Sequence, residues 1–262
     1  MKILHVASFN GNIGDIASHK GLEVILGKVG ISYDAKKLEI RDFYKNANYE
    51  NKMEFDKEFV KLANNYELVL FGGGGFLDYW VPESFTGTTI DIDINNLKNI
   101  KSKILITSVG SNPHKEIPEG NYEKFLSFIT HCNSSDNITI RFRNDGSVNS
   151  LKKDFPSLNI TKDNEILDHA FFFKAPNYDI RWLPKSYVTI NITEDQIRMI
   201  NGIGDNDSWY YLELKNLINN LIDKYNKVIF VPHIPSDVNE IMKVISFFDR
   251  EKISEKIIIA PF

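Results

Sequence analysis

A run of four glycines at residues 72–75 directly follows the apolar stretch of residues 68–71. Glycine weakens regular structure and is favoured where the backbone takes positive φ or lies against a ligand. The run therefore predicts a ligand-contacting loop, with Gly73, Gly74 and Gly75 as candidate contacts. A sharp turn with close packing of strand and helix is the alternative. The segment 76–80 that follows, which contains Phe76, Tyr79 and Trp80, would line a sugar or another flat ligand, or else fill the core.

A second glycine-containing segment, residues 10–15, lies between the first apolar run and the first stretch with helical spacing. Backbone amides at a helix N-terminus attract anions, which makes Asn12 and Gly14 candidate ligand contacts. The spacing matches neither the dinucleotide-binding glycine motif nor a P-loop. Asp15 is a catalytic candidate as a carboxylate that moves a proton, with helix capping as the alternative.

Two arginines lie near the carboxyl end of a predicted strand, where α/β sheets bind ligands. Strand alternation places Arg141 and Arg143 on one face, and each guanidinium offers a fork for phosphate or carboxylate. A salt bridge to a neighbouring acid is the alternative for both. Ser147 is predicted to cap the next helix; no histidine or acid accompanies it at the spacing a nucleophile needs.

One histidine of the second half, His233, follows a predicted strand within the segment 232–237. There it would donate to an anion or exchange a proton near neutral pH, or serve as a hydrogen-bonded structural residue. The other histidines show no pairing pattern, and His5 lies inside a predicted strand. No His-x-x-x-His pair or acidic cluster occurs, so no metal site is predicted.

The elements that must position these residues follow a rhythm of apolar run, turn signal and helical spacing. This rhythm predicts an α/β fold with parallel sheets. Strands are predicted at residues 2–8, 33–40, 67–71, 103–109, 137–143, 187–192, 227–232 and 256–262. Helices are predicted at residues 15–28, 54–65, 121–131, 147–155, 209–225 and 237–248.

The rhythm breaks once, which predicts an N-terminal domain at residues 1–175, a linker at 176–186 and a second domain at 187–262. The last apolar run, residues 257–260, has the composition of a central strand, and a buried parallel strand needs cover on both faces. No helix follows it, so we expect the second domain to be incomplete and the natural chain to continue past Phe262.

The amino-acid composition excludes several classes of function. The chain has 262 residues, of which 42% are hydrophobic, and a net charge of −4 from 31 basic and 35 acidic residues. No basic surface for nucleic acid is expected. The single cysteine, Cys132, and the lack of a signal peptide favour the cytoplasm, and no apolar run approaches the ~18 residues of a membrane span.

In order and spacing, these segments resemble the polysaccharide pyruvyl transferase family. The matching residues are Gly11, Asn12, Ile13, Gly14 and Asp15; residues 68–77; Ser108, Val109 and Gly110; Arg143, Ser147 and Leu151; Leu167, Asp168, His169 and Ala170; residues 188–191; and Val231, Pro232, His233 and Asp237.

The resemblance implies two facing Rossmann-like lobes of the GT-B type, with no cofactor. Phosphoenolpyruvate would be the donor and a sugar hydroxyl pair, free or in a lipid-linked glycan at the inner membrane face, the acceptor, giving a pyruvyl ketal in cell-surface glycans. Arg143 falls on the arginine of the family's Arg-Asp-x-x-Ser stretch and would hold the donor with Ser147. Asn144 replaces the usual aspartate.

The family's later Arg-x-His stretch and lysine, which also contact the donor, do not occur in these 262 residues. Two alternatives therefore stand beside pyruvyl transfer. One is a GT-B glycosyltransferase that uses a nucleotide sugar, since the same architecture suits that donor. The other is a truncated, non-catalytic family member.

Overall fold

The computed structural model describes residues 1–45, 52–113, 115–176, 183–193 and 208–261. The chain divides into two compact units. The first comprises Met1–Asn10 and Gly14–Lys174, and the second Gly11–Ile13 and Ala175–Phe262. Most of the predicted linker, residues 177–182, lies outside the described residues.

The first unit contains a six-stranded sheet whose strands run parallel throughout, in the order β2-β1-β3-β4-β5-β6. The strands are β1 Lys2–Ala7, β2 Asp34–Glu39, β3 Leu68–Gly74, β4 Lys103–Val109, β5 Ile138–Arg143 and β6 Glu165–Ile166. The inner residues of β1, β3 and β4 are mostly apolar and buried, as expected for parallel strands covered on both faces, whereas the edge strands β2 and β6 have no buried residue. The predicted strands are confirmed, whereas β6 was not predicted.

The described helices of the first unit lie between these strands. They are α1 Ile13–Lys28, α2 Lys57–Ala63, α3 Ile94–Lys98, α4 Asn121–Ser134 and α5 Ser147–Asp154, with single 3-10 turns at Ile40–Phe43, Lys162–Asn164 and His169–Phe172. Local signals set their ends. The Asp56 carboxylate accepts from the amides of Glu58 and Phe59 at 2.9 and 3.0 Å and so begins α2.

The core of the first unit is unequal on the two faces of its sheet. The larger cluster contains fully buried Phe71, Phe125, Phe128 and Phe142. A smaller apolar cluster, built around Ile3, Leu22 and Leu70, also includes α1 residues. Towards the carboxyl ends of the strands, polar and histidine side chains pack beside α1, and this polar region contains the candidate site.

The second unit contains a three-stranded parallel sheet in the order β7-β8-β9. Its described elements are β7 Tyr187–Ile190, α6 Ser208–Lys224, β8 Lys227–Phe230, α7 Asp237–Ile245, α8 Arg250–Lys256 and β9 Ile257–Ile259. Ile218, Phe230, Ile241 and Val244 form its fully buried core.

Within the described residues, β8 has a neighbour on each side, and β9 pairs with β8. The prediction that residues 257–260 form a central strand of a larger second domain stays a prediction. The predicted α/β class is confirmed, and two Rossmann-like units in one chain are what the GT-B type contains.

Candidate functional site

The strand order of the first sheet defines where a ligand would bind. From β1 the chain crosses to β2 on one side, and β3 then returns to the other side of β1. This reversal is a topological switch point, and open α/β sheets bind ligands at the carboxyl ends of the strands beside it. We call the residues that end or follow β1 to β6 the carboxyl edge.

The first three glycines of the run belong to strand β3 rather than to a loop, which corrects the prediction, and Gly75 directly follows the strand. Gly72 pairs with Thr107 and Gly74 with Val109 on β4. Gly73 has a φ of +70°, and a Cβ placed there would lie 2.6 Å from the Ser18 Oγ on α1. Close packing of strand and helix is therefore what requires glycine at position 73. Ligand contact by Gly73, Gly74 and Gly75 stays a prediction.

A strained residue of β4 lies beside the glycines. Ser108 is fully buried with a φ of +55°, at a register shift between Thr107 and Val109. Its hydroxyl accepts from the His169 amide at 3.1 Å. Such bulges and left-handed residues concentrate at functional sites because they re-aim neighbouring groups. Within the sequence, only the family-like triplet containing Ser108 marked this position.

Arg143 lies at the carboxyl edge between two acids. Its Nε donates to the Asp145 carboxylate, and its Nη1 is 3.7 Å from Asp168 Oδ2. The alternative reading of a salt bridge therefore holds for Arg143. Neither acid was among the predicted site residues.

Arg141 lies on the same face of β5 as Arg143, as predicted, because both are half-buried while Ile140 and Phe142 are buried. The Arg141 guanidinium donates to the carbonyl of Ile140 at 2.8 Å. No ion pair of Arg141 occurs within the described chain. Its predicted contact with the donor remains open.

Ser147 does not cap α5, which corrects another prediction. It is the first helical residue after Gly146, and its amide and hydroxyl both donate to the Asp145 carboxylate. The Ser147 hydroxyl also accepts from the Ser111 amide at 2.7 Å. Asp145 thus performs the capping role that the sequence suggested for Ser147. Ser147 is fully buried and already bonded to protein groups.

Asp15 occupies the first turn of α1, with Arg41 Nη2 at 3.9 Å from its carboxylate. Burial raises the pKa of Asp15 above its ordinary value, while the Ser8 hydroxyl, Arg41 and Arg143 oppose that shift. The shift favours the protonated form of the carboxyl, which is the form that donates a proton. The structure therefore makes Asp15 a stronger proton-carrier candidate than the sequence alone did.

The backbone of the loop after β1 is hydrogen-bonded to a glutamate that the sequence analysis did not single out. Glu39 accepts from the backbone amides of Phe9 and Asn10 at 2.9 and 3.3 Å. Of the predicted contacts nearby, Gly14 lies in the first turn of α1, and Asn12 belongs to the segment Gly11–Ile13 of the second unit. The roles of Asn12 and Gly14 in donor binding stay predictions.

Three buried histidines lie beneath the carboxyl edge. The rings of His5 and His19 are 5.3 Å apart, and His19 Nε2 is 2.6 Å from the Ser8 carbonyl. His169 Nε2 is 3.2 Å from the Thr107 hydroxyl. Burial lowers the pKa of His5 to about 3 and of His169 to about 4, and it also lowers the pKa of His19. All three are therefore neutral at neutral pH.

His233 lies in the second unit, not at the carboxyl edge of the first sheet. Its ring is exposed, and its backbone amide donates to Asp237 Oδ2 at 2.8 Å. Its catalytic role stays a prediction. Among the residues that the structure describes, no cluster of three histidine, cysteine or acidic side chains is arranged to hold a metal. No described helix is long and apolar enough to cross a membrane.

The fold and the site define a two-unit parallel α/β protein with a polar, acid-rich edge at the switch point of its larger sheet. No family model matches the chain, and no curated protein matches it. Solved structures give matches at the level of the fold. One is the S. aureus MnaA-UDP co-structure, with 12% identity and a TM-score of 0.48, covering 100% of this chain and 69% of that chain.

A second match is UDP-N-acetylglucosamine 2-epimerase from Rickettsia bellii, with 13% identity and a TM-score of 0.43, covering 100% of this chain and 68% of that chain. A third is E. coli ADP-heptose LPS heptosyltransferase II, with 10% identity and a TM-score of 0.38, covering 98% of this chain and 72% of that chain.

Proposed function

We propose that this protein transfers a pyruvyl group from phosphoenolpyruvate to a sugar hydroxyl pair. The observation that supports the proposal is the meeting of Arg143, Asp15 and the Gly73 backbone at one sheet edge beside the switch point. These are an anion-binding group, a proton-carrier candidate and the glycine-containing end of β3, and the family-like segments of the sequence contain all three.

In this proposal Arg143 binds the phosphate or carboxylate of the donor. It does so by exchanging its contacts with Asp145 and Asp168 for the ligand, since its side chain is 29% exposed. The donor's methylene carbon takes a proton, a sugar hydroxyl attacks the resulting cationic carbon, and the C–O bond to phosphate breaks. A second hydroxyl then closes the ketal. Of the two hydroxyl protons, one replaces the proton given to the methylene carbon and one leaves with phosphate.

We assign the proton transfers of this reaction to Asp15. Its carboxyl lies at the start of α1, and burial raises its pKa, which favours the protonated form that a proton donor needs. His233 is the other proton-carrier candidate and belongs to the second unit. The oxocarbenium character of the intermediate is stabilised by nearby carboxylates, of which Asp145 and Asp168 are the nearest to Arg143.

One observation favours the second candidate, a glycosyltransferase using a nucleotide sugar. The carboxyl edge holds an excess of acids over arginines: Asp15, Glu39, Asp78, Asp145 and Asp168 against Arg41 and Arg143. Carboxylates bind sugar hydroxyls well and repel a trianionic donor. In that reading, the first unit binds only the acceptor, and Asp15 is the base that activates its hydroxyl.

Two measurements distinguish these functions. Calorimetric titration with phosphoenolpyruvate and with UDP identifies the donor class, and release of phosphate is measured with mixed sugar acceptors. We expect phosphoenolpyruvate to bind and turn over in the parent chain and in Arg250→Ala, which removes an exposed arginine of α8, but not in Arg143→Ala. Binding of UDP without phosphoenolpyruvate contradicts pyruvyl transfer and supports the second candidate.

A further inference from the structure

Two adjoining cavities lie in the loops that follow β2 and β3. The first, which we call the slot, has a volume of about 210 Å³, and the second, the side pocket, about 280 Å³. Phe43, Lys45 and Asp91 line both. Because β2 and β3 flank β1 in a parallel sheet, both loops leave the sheet at the carboxyl edge.

The walls of the slot combine an aromatic surface with a polar rim. Trp80 is half-buried and lines it together with Tyr44 and Pro82, and Lys115 Nζ, which is not part of the lining, lies over the Trp80 ring at 3.9 Å from its centre. Thr89 and the Lys45–Asp91 ion pair, 3.2 Å long, supply polar groups. Of the aromatic segment after the glycines, Phe76 and Tyr79 are buried in the core. Of the three aromatic residues in the segment that the sequence predicts to line a sugar, Trp80 is therefore the one that lines this cavity.

The slot is formed before any ligand arrives. The buried hydroxyls of Ser84, Thr86 and Thr88 bond along the loop, with Ser84 Oγ donating to the Thr88 carbonyl at 2.8 Å and Thr86 Oγ1 to the Ile90 carbonyl at 2.9 Å. Glu83 is held at a φ of +59° while its carbonyl accepts from Lys45. A preorganised wall loses little conformational entropy on binding.

The side pocket repeats the same chemistry on the other side of Lys45 and Asp91. Phe55 and Phe85 give it aromatic surface, and Glu54 and Asn96 give it hydrogen-bonding groups. Each cavity is smaller than the roughly 300–1,000 Å³ typical of sites for drug-sized ligands, so each admits one ring. Two such cavities that share a polar divider suit a chain of rings.

We propose that the slot and the side pocket are neighbouring subsites for successive sugar rings of an oligosaccharide. A pyranose ring has an apolar face that packs on an aromatic side chain and hydroxyls at its rim that bond to charged groups. Trp80 packs on the ring in the slot, and Lys45 and Asp91 bind hydroxyls near the linkage. This inference rests on the proposed function and specifies its acceptor as an oligosaccharide rather than a free monosaccharide.

The test is a glycan array carrying galactose and N-acetylglucosamine oligomers of one to four residues. We expect oligomers of two or more rings to bind at least about tenfold more tightly than the monomers, because the second ring gains its own subsite. Trp80→Ala weakens oligomer binding by about tenfold, and Trp80→Phe keeps most of it. Trp209→Ala, which removes an exposed tryptophan of α6, leaves binding unchanged.

Thermal melting confirms that Trp80→Ala is folded; if it is not, Lys45→Met replaces it and also weakens binding severalfold. The inference is overturned if no oligomer binds, if monomers bind as well as oligomers, or if neither variant weakens binding. Release of phosphate from phosphoenolpyruvate is measured separately. Binding of oligomers through Trp80 without release of phosphate upholds the oligosaccharide site and contradicts pyruvyl transfer. Release of phosphate without binding of oligomers supports pyruvyl transfer and overturns the oligosaccharide site.

Discussion

Gly73 shows how one residue links the strand to the site. Its left-handed backbone turns the end of β3, and the absence of a side chain lets α1 approach until Ser18 Oγ occupies the place of a Cβ. Ser108 on the neighbouring strand is also left-handed. The two left-handed residues lie opposite each other, because the residues that flank them pair across β3 and β4.

The substitution Gly73→Ala tests this packing, with Gly30→Ala as the matched control. Both glycines have a φ near +70°, but nothing lies within 4 Å of a Cβ at Gly30. We expect Gly30→Ala to lower the free energy of unfolding by roughly 1 kcal/mol through backbone strain alone. Gly73→Ala adds overpacking and costs about 1–3 kcal/mol more. Equal losses in urea unfolding contradict the close packing against Ser18.

Among the elements, the loop between Trp80 and Asp91 is the one that the structure explains most fully. Its hydroxyl ladder gives buried backbone groups partners that a strand or helix would otherwise supply. Thr86 is central to it, since its hydroxyl accepts from the Thr88 amide at 3.1 Å and donates to the Ile90 carbonyl. The loop is irregular in backbone but fully bonded through these groups.

Replacing Thr86 by alanine is expected to lower the free energy of unfolding by about 1–3 kcal/mol, because the Thr88 amide and Ile90 carbonyl lose a partner while buried. Thr139→Ala is the control, since Thr139 is exposed on β5. Hydrogen exchange at the amides of the loop should quicken in Thr86→Ala. Unchanged exchange would show that the ladder does not hold the loop.

At the scale of the whole molecule, the buried histidines tie β1, α1 and the segment after β6 together. Gly21 of α1 permits this contact, because a Cβ there would lie 1.7 Å from the His169 carbonyl oxygen. His5, His19 and His169 are each 5–6% exposed. Protonating any of them in the folded state would bury a charge; Lys37 adds to that cost at His5, whereas Asp168 partly offsets it at His169.

The histidines predict a loss of stability in mild acid. Their folded pKa values lie below the unfolded value of 6.5, so the unfolded state binds more protons, and the stability they confer is full above pH 6.5 and falls as pH drops towards 4. Between pH 7.5 and 5 we expect a loss of about 2 kcal/mol for each strongly shifted histidine. Asp15 works in the opposite direction, because its raised pKa lets the folded state bind a proton.

Urea unfolding at pH 7.5 and pH 5 measures this effect. His169→Asn should lose less stability between the two pH values than the parent chain does, whereas His131→Asn, at the solvent-exposed end of α4, should match the parent more closely. If the free energy of unfolding depends on pH identically in all three chains, the buried histidines are not the cause of that dependence.

Much of the fold follows from local pattern. The prediction for β4 coincides with the observed strand, because a buried parallel strand reads as a continuous apolar run. The missed strand and helices are short: β6 has two residues, α3 has five and α8 has seven, too few for a period to show. The glycines of β3 were assigned to a loop because glycine disfavours strands, but pairing with β4 overrides that preference.

The sequence by itself determined the α/β class, the order of the main strands and helices, and the positions of the glycines and of Arg143. Only the tertiary structure decided which groups meet at the carboxyl edge. Ser108 bonds to a residue 61 positions away and Phe9 to one 30 positions away. Apolar periodicity acts over a few residues, whereas those pairings arise when the crossovers bring distant strand ends to one edge, and no local pattern records them.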